Sequence, residues 1–467
     1  MDSKSFLPDD SKTQFATPPK GGNGPLARFA RKNFRQDGAP LLLTLALVTG
    51  VCAGVAAWLF KLAIAWVSTI LTSHLNMKGM NPWLIAVPVI GICLTGLFLR
   101  KVLKVNIADG VDQIKSGMAK GHYYLRLRRI ITPLIASTVT LGFGGSAGSE
   151  GPIASSGAAI GSNLGRIFGV PQQTVRMLVA IGAGAGIAAI FKAPVGGMFF
   201  VVECLAVTLT AVNMVALGIA CLCGGMIAYA LSGGVTDVDY HGIITFDMKM
   251  VFVSAILGVF CGLYSIYYSR VMSFMNKKMR AINKPWIRNI SAGLTIGILL
   301  FLFPTLYGEG YGALTHMING DNSTVIMESP FALLAKDLHT GPLLLVVAGI
   351  LLAKCWACGA TVHGGGVAGE FAPTLFAGAM AGLFFGLAVN LIPGADIPTA
   401  HCALFGMAGA MAGIIRAPFM AIFIATEMTG SYASLLPISV CAICSYFTVW
   451  MVCHRLPAMF GGKGFKL

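Results

Sequence analysis

The sequence predicts an all-α integral membrane protein, and three observations carry that prediction: scarce charge, long apolar runs, and a repeated pair of Gly/Pro-interrupted segments. Of 467 residues, 56% are hydrophobic and only 11% are charged. A soluble domain carries about 25% charged residues, so most of this surface faces something apolar. Apolar stretches run over Leu41–Ile70, Leu84–Leu99, Val175–Ile190, Val251–Tyr268, Leu343–Ala353 and Leu435–Val452. Several reach the roughly 20 residues that span a bilayer as a helix. Others are shorter and broken by Gly, so hydropathy alone does not count the crossings.

The formal charge of +15 is unevenly distributed. Lys and Arg gather in Arg28–Arg35, Arg100–Arg129 and Arg270–Arg288, whereas acids gather around Asp237–Asp247 and Glu309–Asp337. Separation of this kind follows the positive-inside rule and assigns the basic segments to the cytoplasm. It argues against nucleic-acid binding, because no aromatic platform accompanies the basic clusters. Twelve cysteines lie almost wholly in apolar segments, where free Cys is a small packing residue. The Cys355-x-x-Cys358 pair has no second ligand pair, so neither a metal site nor a cofactor is expected. Residues 1–20 are polar and Pro-containing, which predicts a disordered cytoplasmic tail with no cleaved signal.

An internal repeat organises the chain. Gly182-Ala-Gly-Ala-Gly-Ile-Ala-Ala-Ile-Phe-Lys-Ala-Pro194 is followed nine residues on by Glu203. Gly406-Met-Ala-Gly-Ala-Met-Ala-Gly-Ile-Ile-Arg-Ala-Pro418 is followed at the same spacing by Glu427. Upstream lie Gly148-Ser-Glu-Gly-Pro152 and Gly369-Glu-Phe-Ala-Pro373, offset by 221 residues where the first pair is offset by 224. A short insertion between homologous halves accounts for the difference. Matching Gly/Pro-interrupted helices in two halves point to the central site of a transporter. A helix can start in mid-membrane only where protein or a cavity receives its free N–H groups. Those groups carry about half a positive charge and attract an anion. The Gly182–Gly186 and Gly406–Gly413 runs admit two readings, a pathway lining or a close-packed helix face.

Glu150 lies inside the first break. An intramembrane carboxylate is costly and is a functional residue by default. Beside free amides its charge would imitate an anionic ligand and compete with it, and protonation would lift the competition. Glu150 is thus the expected gate.

At these residues the chain resembles the CLC family of chloride channels and chloride/proton antiporters. Gly148-Ser-Glu-Gly-Pro152 with Ile160-Gly-Ser-Asn-Leu-Gly165 is similar to the family's gating-glutamate motif. Phe191-Lys-Ala-Pro194 with Glu203, Tyr307-Gly-Glu-Gly-Tyr311, Gly364 to Pro373, and Arg416-Ala-Pro418 with Glu427-Met-Thr429 follow in the family's order. The resemblance implies two inverted repeats of tilted, partly re-entrant helices, a homodimer with one pathway per subunit, and cytoplasmic termini. It implies that Ala108–Asp112, Gly148–Pro152 and Gly369–Pro373 supply the helix ends around a partly dehydrated anion. On this reading Asp109, Gly110, Ser149, Gly151, Gly369, Glu370, Phe371 and Ala372 surround the anion. No C-terminal regulatory module of the cystathionine-synthase type is expected. The expected organisation is a tail at 1–36, a membrane domain at 37–460 and a short tail at 461–467. Its repeats cover roughly 40–235 and roughly 248–455.

The chain also departs from the family pattern. Counting back from Glu150 puts Asp109 where the family places a pore Ser. A carboxylate beside a bound anion is repulsive unless it is protonated or paired. Either Asp109 faces the pore, or the loop is shifted and Asp109 faces the cytoplasm among Lys104 and Lys115. The basic residue that usually precedes the gating glutamate is Ser149, and Glu370 takes a usually apolar place. The internal proton-transfer glutamate falls at Cys204, with Glu203 one position earlier as a candidate substitute. The pore tyrosine falls near Ala458, with Phe460 the nearest aromatic. Both losses put proton coupling in doubt. Lys192 and Arg416 are related by the repeat, and are read either as a shared cytoplasmic vestibule or as side chains that pair with a nearby carboxylate or snorkel to the interface. His363, beside Gly364–Gly366, is either a titrating group or a packed one.

The sequence therefore predicts a membrane permease for a small anion, chloride first, housed in a bacterial inner membrane. The alternative is the same fold carrying a zwitterionic or organic anionic solute, such as an amino acid or sulfonate. An enzyme is not expected, since no His or Cys partner stands at a catalytic spacing from Glu150.

Overall fold

A computed structural model describes residues 38–74, 81–103, 110–207, 210–238, 240, 247–321, 330 and 340–455. Among the described residues the regular secondary structure is helical, and an isolated bridge pairs Gly148 with Gly369. Among the described residues nine helices are long and apolar enough to cross a membrane, and the chain is a multi-pass membrane protein. The expected tails and the Asp109, Ala458 and Phe460 positions lie outside the described residues.

The first half contains α1 (Ala39–His74), α2 (Trp83–Leu97), α3 (Gly110–Ala119), α4 (Thr132–Gly142), α5 (Glu150–Phe168), α6 (Gln172–Phe191), α7 (Pro194–Phe199) and α8 (Ala211–Leu231). The second contains α9 (Met248–Ala281), α10 (Pro285–Leu302), α11 (Tyr311–Ile318), α12 (Thr340–Gly364), α13 (Phe371–Val389), α14 (Thr399–Ile415), α15 (Pro418–Thr429) and α16 (Leu435–Trp450). The packing partners recur between halves. α5 lies along α6 as α13 lies along α14, α1 packs on α8 as α9 packs on α16, and the short helices α7 and α15 pack on each other across the halves.

Small residues make the closest of these contacts possible. A Cβ on Gly157 of α5 would strike the Gly182 carbonyl of α6, and one on Gly378 of α13 would strike the Gly406 carbonyl of α14. Both Gly runs sit inside unbroken helices, so they are close-packed faces and the pathway reading is set aside for them. In lipid such backbone approach replaces the hydrophobic drive that water would supply.

The repeat is also visible at the hinges. Lys192 and Arg416 each end a helix in the left-handed region, at φ 54° and φ 64°. Ala193 and Ala417 follow, and Pro194 and Pro418 open the next helices, where a missing N–H costs nothing.

Candidate functional site

The two Gly/Pro breaks meet. Gly148 N donates to the Gly369 carbonyl at 2.9 Å, and Gly369 N donates to the Gly148 carbonyl at 2.6 Å. This reciprocal pair pins the start of α5 to the start of α13. Gly151 lies within ordinary contact distance of Gly369, at 3.4 Å from a Cβ position to its Cα. Gly110, at the start of α3, packs on the Gly151 carbonyl so closely that a Cβ would not fit. Three helix starts thus converge, as the sequence expectation required, and Gly serves because backbone touches backbone.

Glu150, only 1% exposed, sits at this junction. One carboxylate oxygen, Oε1, accepts from Phe371 N and from Ala372 N, the latter at 3.0 Å. These are the first two amides of α13, which no intrahelical carbonyl can satisfy. The carboxylate therefore occupies an anion position at a helix N-terminus. The other oxygen, Oε2, is buried and has no hydrogen-bond partner. The Phe371 ring is set edge-on against Phe200 at 5.9 Å, so the first half fixes the residue whose amide binds Glu150.

On one side Glu150 borders a cavity of about 390 Å³. Asp112 and Lys115 of α3, Glu203, Cys204, Glu370 and Arg416 line it, together with Gly151, Gly369 and Phe371. Glu203 is engaged: its oxygens accept from Phe419 N at 3.2 Å and Met420 N at 2.8 Å, at the start of α15. Glu427 does the same for the other half, accepting from Val195 N at 3.1 Å and Gly196 N at 2.9 Å at the start of α7. Each half thus caps the other's short helix. Cys204 Sγ lies 3.7 Å from Met420 Sδ.

On the other side lies a ladder of charges. Glu309 Oε1 accepts from Ser149 N at 3.0 Å and from Ser149 Oγ at 2.5 Å, and its Oε2 accepts from Lys61 Nζ at 2.9 Å. Lys61 also lies 3.5 Å from Asp237, which lies 3.3 Å from Lys192. Lys61 stands 4.3 Å over the Tyr311 ring. Lys354 of α12, fully buried, donates to Ser146 Oγ at 2.9 Å and stands 4.7 Å over the Phe376 ring. It lies within electrostatic reach of Glu150 and Glu309.

The shared-vestibule reading of Lys192 and Arg416 is corrected by these contacts. Arg416 lines the cavity, whereas Lys192 belongs to the charge ladder, because inversion of the repeat carries equivalent residues to opposite sides. Lys192 has the carboxylate partner that the other reading expected. His363, in the last turn of α12, does not line the cavity. Glu309, Lys61, Asp237 and Lys354 were not expected as site residues, although the Tyr307-Gly-Glu-Gly-Tyr311 motif contains Glu309. A lone Lys within each of two apolar runs was the available signal for Lys61 and Lys354. These two cations, from α1 and α12, stand near the place where Ser149 lacks a basic side chain.

A model of the voltage gated chloride channel family matches residues 91–449. The chain belongs to this family. Relatives include a putative ClcB-like chloride channel protein of Ralstonia nicotianae, 29% identical over 377 residues, which cover 79% of this chain and 83% of that one. An H+/Cl− exchange transporter, ClcA, of Vibrio campbellii is 26% identical over 416 residues, covering 86% of this chain and 85% of that one. Among solved structures, a slow cyanobacterial Cl−/H+ antiporter aligns with TM-score 0.73 at 24% identity, over 91% of this chain and 95% of that one. A CLC-type fluoride/proton antiporter aligns with TM-score 0.70 at 22% identity, over 87% and 95%. These structural likenesses establish the fold, the CLC arrangement of two inverted repeats.

Proposed function

We propose that this CLC protein moves a small inorganic anion, chloride first, across the membrane, and that Glu150 is the gate. The observation that carries the reading is the seat of the Glu150 carboxylate on the Phe371 and Ala372 amides. Bare amides at a helix start replace the hydration of an anion, and a tethered carboxylate denies them to it. When Glu150 is protonated it loses its charge, its hold on the amides weakens, and the anion binds in its place. Glu309, Lys354 and Lys61 lie within electrostatic reach of this event. The cavity bearing Arg416 and Lys115 is the inner approach, consistent with the basic cytoplasmic segments of the sequence. Gly110, Ser149, Gly151, Gly369, Glu370, Phe371 and Ala372 frame the passage, and the role of Asp109 there is part of the proposal.

Obligate proton exchange is not part of this reading. Cys204 stands at the family's internal proton position, and the neighbouring Glu203 is held by two amides of α15. We further propose a homodimer in a bacterial inner membrane, with both termini cytoplasmic. The activity is transport, without a chemical transformation.

A second reading is kept, because the cavity lining is mixed. With Glu150 and Glu203 seated on amides, Asp112 and Glu370 stand against Lys115 and Arg416. Equal numbers of both signs suit a zwitterion as well as an anion. Proteoliposome flux separates the two. Chloride efflux that rises on acidification supports the first reading. Silent chloride flux with uptake of an amino acid or sulfonate supports the second. Reversal potentials under opposing chloride and proton gradients test coupling, and the expected result is no shift with the proton gradient.

A further inference from the structure

We infer that Glu309 is a second tethered anion: its carboxylate fills an outer anion site formed by the Ser149 N–H, the Ser149 hydroxyl and the Lys61 ammonium, and a permeating small anion takes its place there. The inference rests on the reading of Glu150 as a gate and adds a second barrier in series with it.

The donor set supports a site. An N–H, an O–H and an ammonium converge on one carboxylate, at 3.0, 2.5 and 2.9 Å. Ser149 is 1% exposed and the Glu309 side chain 9%, so the two Ser149 donors and their acceptor are withdrawn from water, while the Lys61 side chain is 22% exposed. Charged hydrogen bonds in such surroundings are strong, and losing the acceptor leaves buried donors unsatisfied. An independent observation points the same way. The Tyr311 hydroxyl, which can donate to an anion, is buried without a partner, and Lys61, a donor of the site, stands 4.3 Å over the same ring.

Charge balance explains why an anion should replace the carboxylate. Glu150, Glu309 and Asp237 face Lys61, Lys192 and Lys354, three of each sign. Swinging Glu309 away without replacement leaves Lys61 and Lys354 facing a deficit in a poorly solvated place. A mobile anion entering as the carboxylate leaves keeps the count unchanged. The place borders solvent, since the Lys61 and Asp237 side chains are 22% exposed. Glu150 repeats the same logic one residue along the chain, on the amides of α13. Two neighbouring anion positions are each held by a tethered carboxylate, and an ion crossing the junction must displace both.

The test is to count bound bromide by anomalous diffraction of the full chain, and to measure chloride efflux from proteoliposomes. Glu309→Ala is expected to gain one bromide at Ser149 N and Lys61 Nζ that the wild-type protein lacks. Glu309→Gln keeps the side-chain shape and covers a failure of the alanine variant to fold; bromide is expected there with lower occupancy. In efflux, Glu150→Ala should remain limited by Glu309. The Glu150→Ala/Glu309→Ala double variant should be faster than Glu150→Ala by about tenfold, the size of one lost charge-assisted hydrogen bond. If neither Glu309 variant binds bromide at Ser149, or the double variant is no faster than Glu150→Ala, the inference is wrong. Loss of gating in Glu150→Ala is read separately, so a failed Glu150 gate and a failed Glu309 site give different results.

Discussion

Two places in this molecule use the same bond for opposite ends. At α7 and α15, Glu427 and Glu203 each lay two oxygens on two amides of the other half, one donor per oxygen. At the start of α13, Glu150 lays a single oxygen on two amides and leaves the other without a partner. Its repeat equivalent is Phe371 itself, whose side chain offers no carboxylate in return. A reciprocated, fully used carboxylate rivets two halves together. The unreciprocated, half-used one is the proposed gate, the carboxylate expected to leave its amides. The comparison teaches that a helix start is made structural or functional by what answers it.

The largest expected effect strikes the riveted pair. Glu427→Ala strips the acceptor from Val195 N and Gly196 N, and buried unsatisfied donors cost about 1–3 kcal/mol each. A fall in stability of about 2–4 kcal/mol is expected, read as a lowered unfolding midpoint in detergent. Flux per folded molecule should keep its wild-type pH dependence. An unchanged midpoint would erase the contrast between the two regions.

Next in size is the gate. Glu150→Gln removes the charge from the carboxylate but keeps its shape, weakening the hold on Phe371 N and Ala372 N. Chloride efflux at neutral pH is expected to rise by about tenfold, which corresponds to about 1.4 kcal/mol. The unfolding midpoint should move far less than in Glu427→Ala.

The smallest effect is expected at Glu203→Gln. Glutamine offers one acceptor oxygen where Glu203 offers two, so one of the Phe419 and Met420 amides loses its acceptor, and a loss of about 1 kcal/mol is expected. Reversal potentials of this variant should match those of the wild type. A change in proton dependence would give Glu203 a transport role beyond its capping one.

Much of this was legible in the sequence, for definite reasons. Apolar runs announce membrane helices because lipid admits little else, and α6 and α16 begin and end within a few residues of their runs. The meeting of Gly148–Pro152 with Gly369–Pro373 was expected from paired Gly/Pro breaks, and that of Gly110 with them from the family resemblance; backbone contact at those glycines explains why no other residue type serves. The charge ladder was not legible. Lys192, Asp237, Lys61 and Glu309 come from separate segments, and no periodicity relates residues that meet only after α1 and α11 are packed. Of the two readings of Lys192 and Arg416, the shared vestibule fails because the repeats are inverted, as the family resemblance implied, and the carboxylate partner holds for Lys192. The role of the two Gly runs was settled only by three-dimensional packing, in which Gly157 meets Gly182 and Gly378 meets Gly406.

Chloride efflux from proteoliposomes across a range of pH, for wild-type protein and Glu150→Ala, tests the gate most directly. The account predicts wild-type efflux that climbs as pH falls and a variant that is fast and flat across the same range. A variant as slow and as acid-activated as the wild type would contradict it.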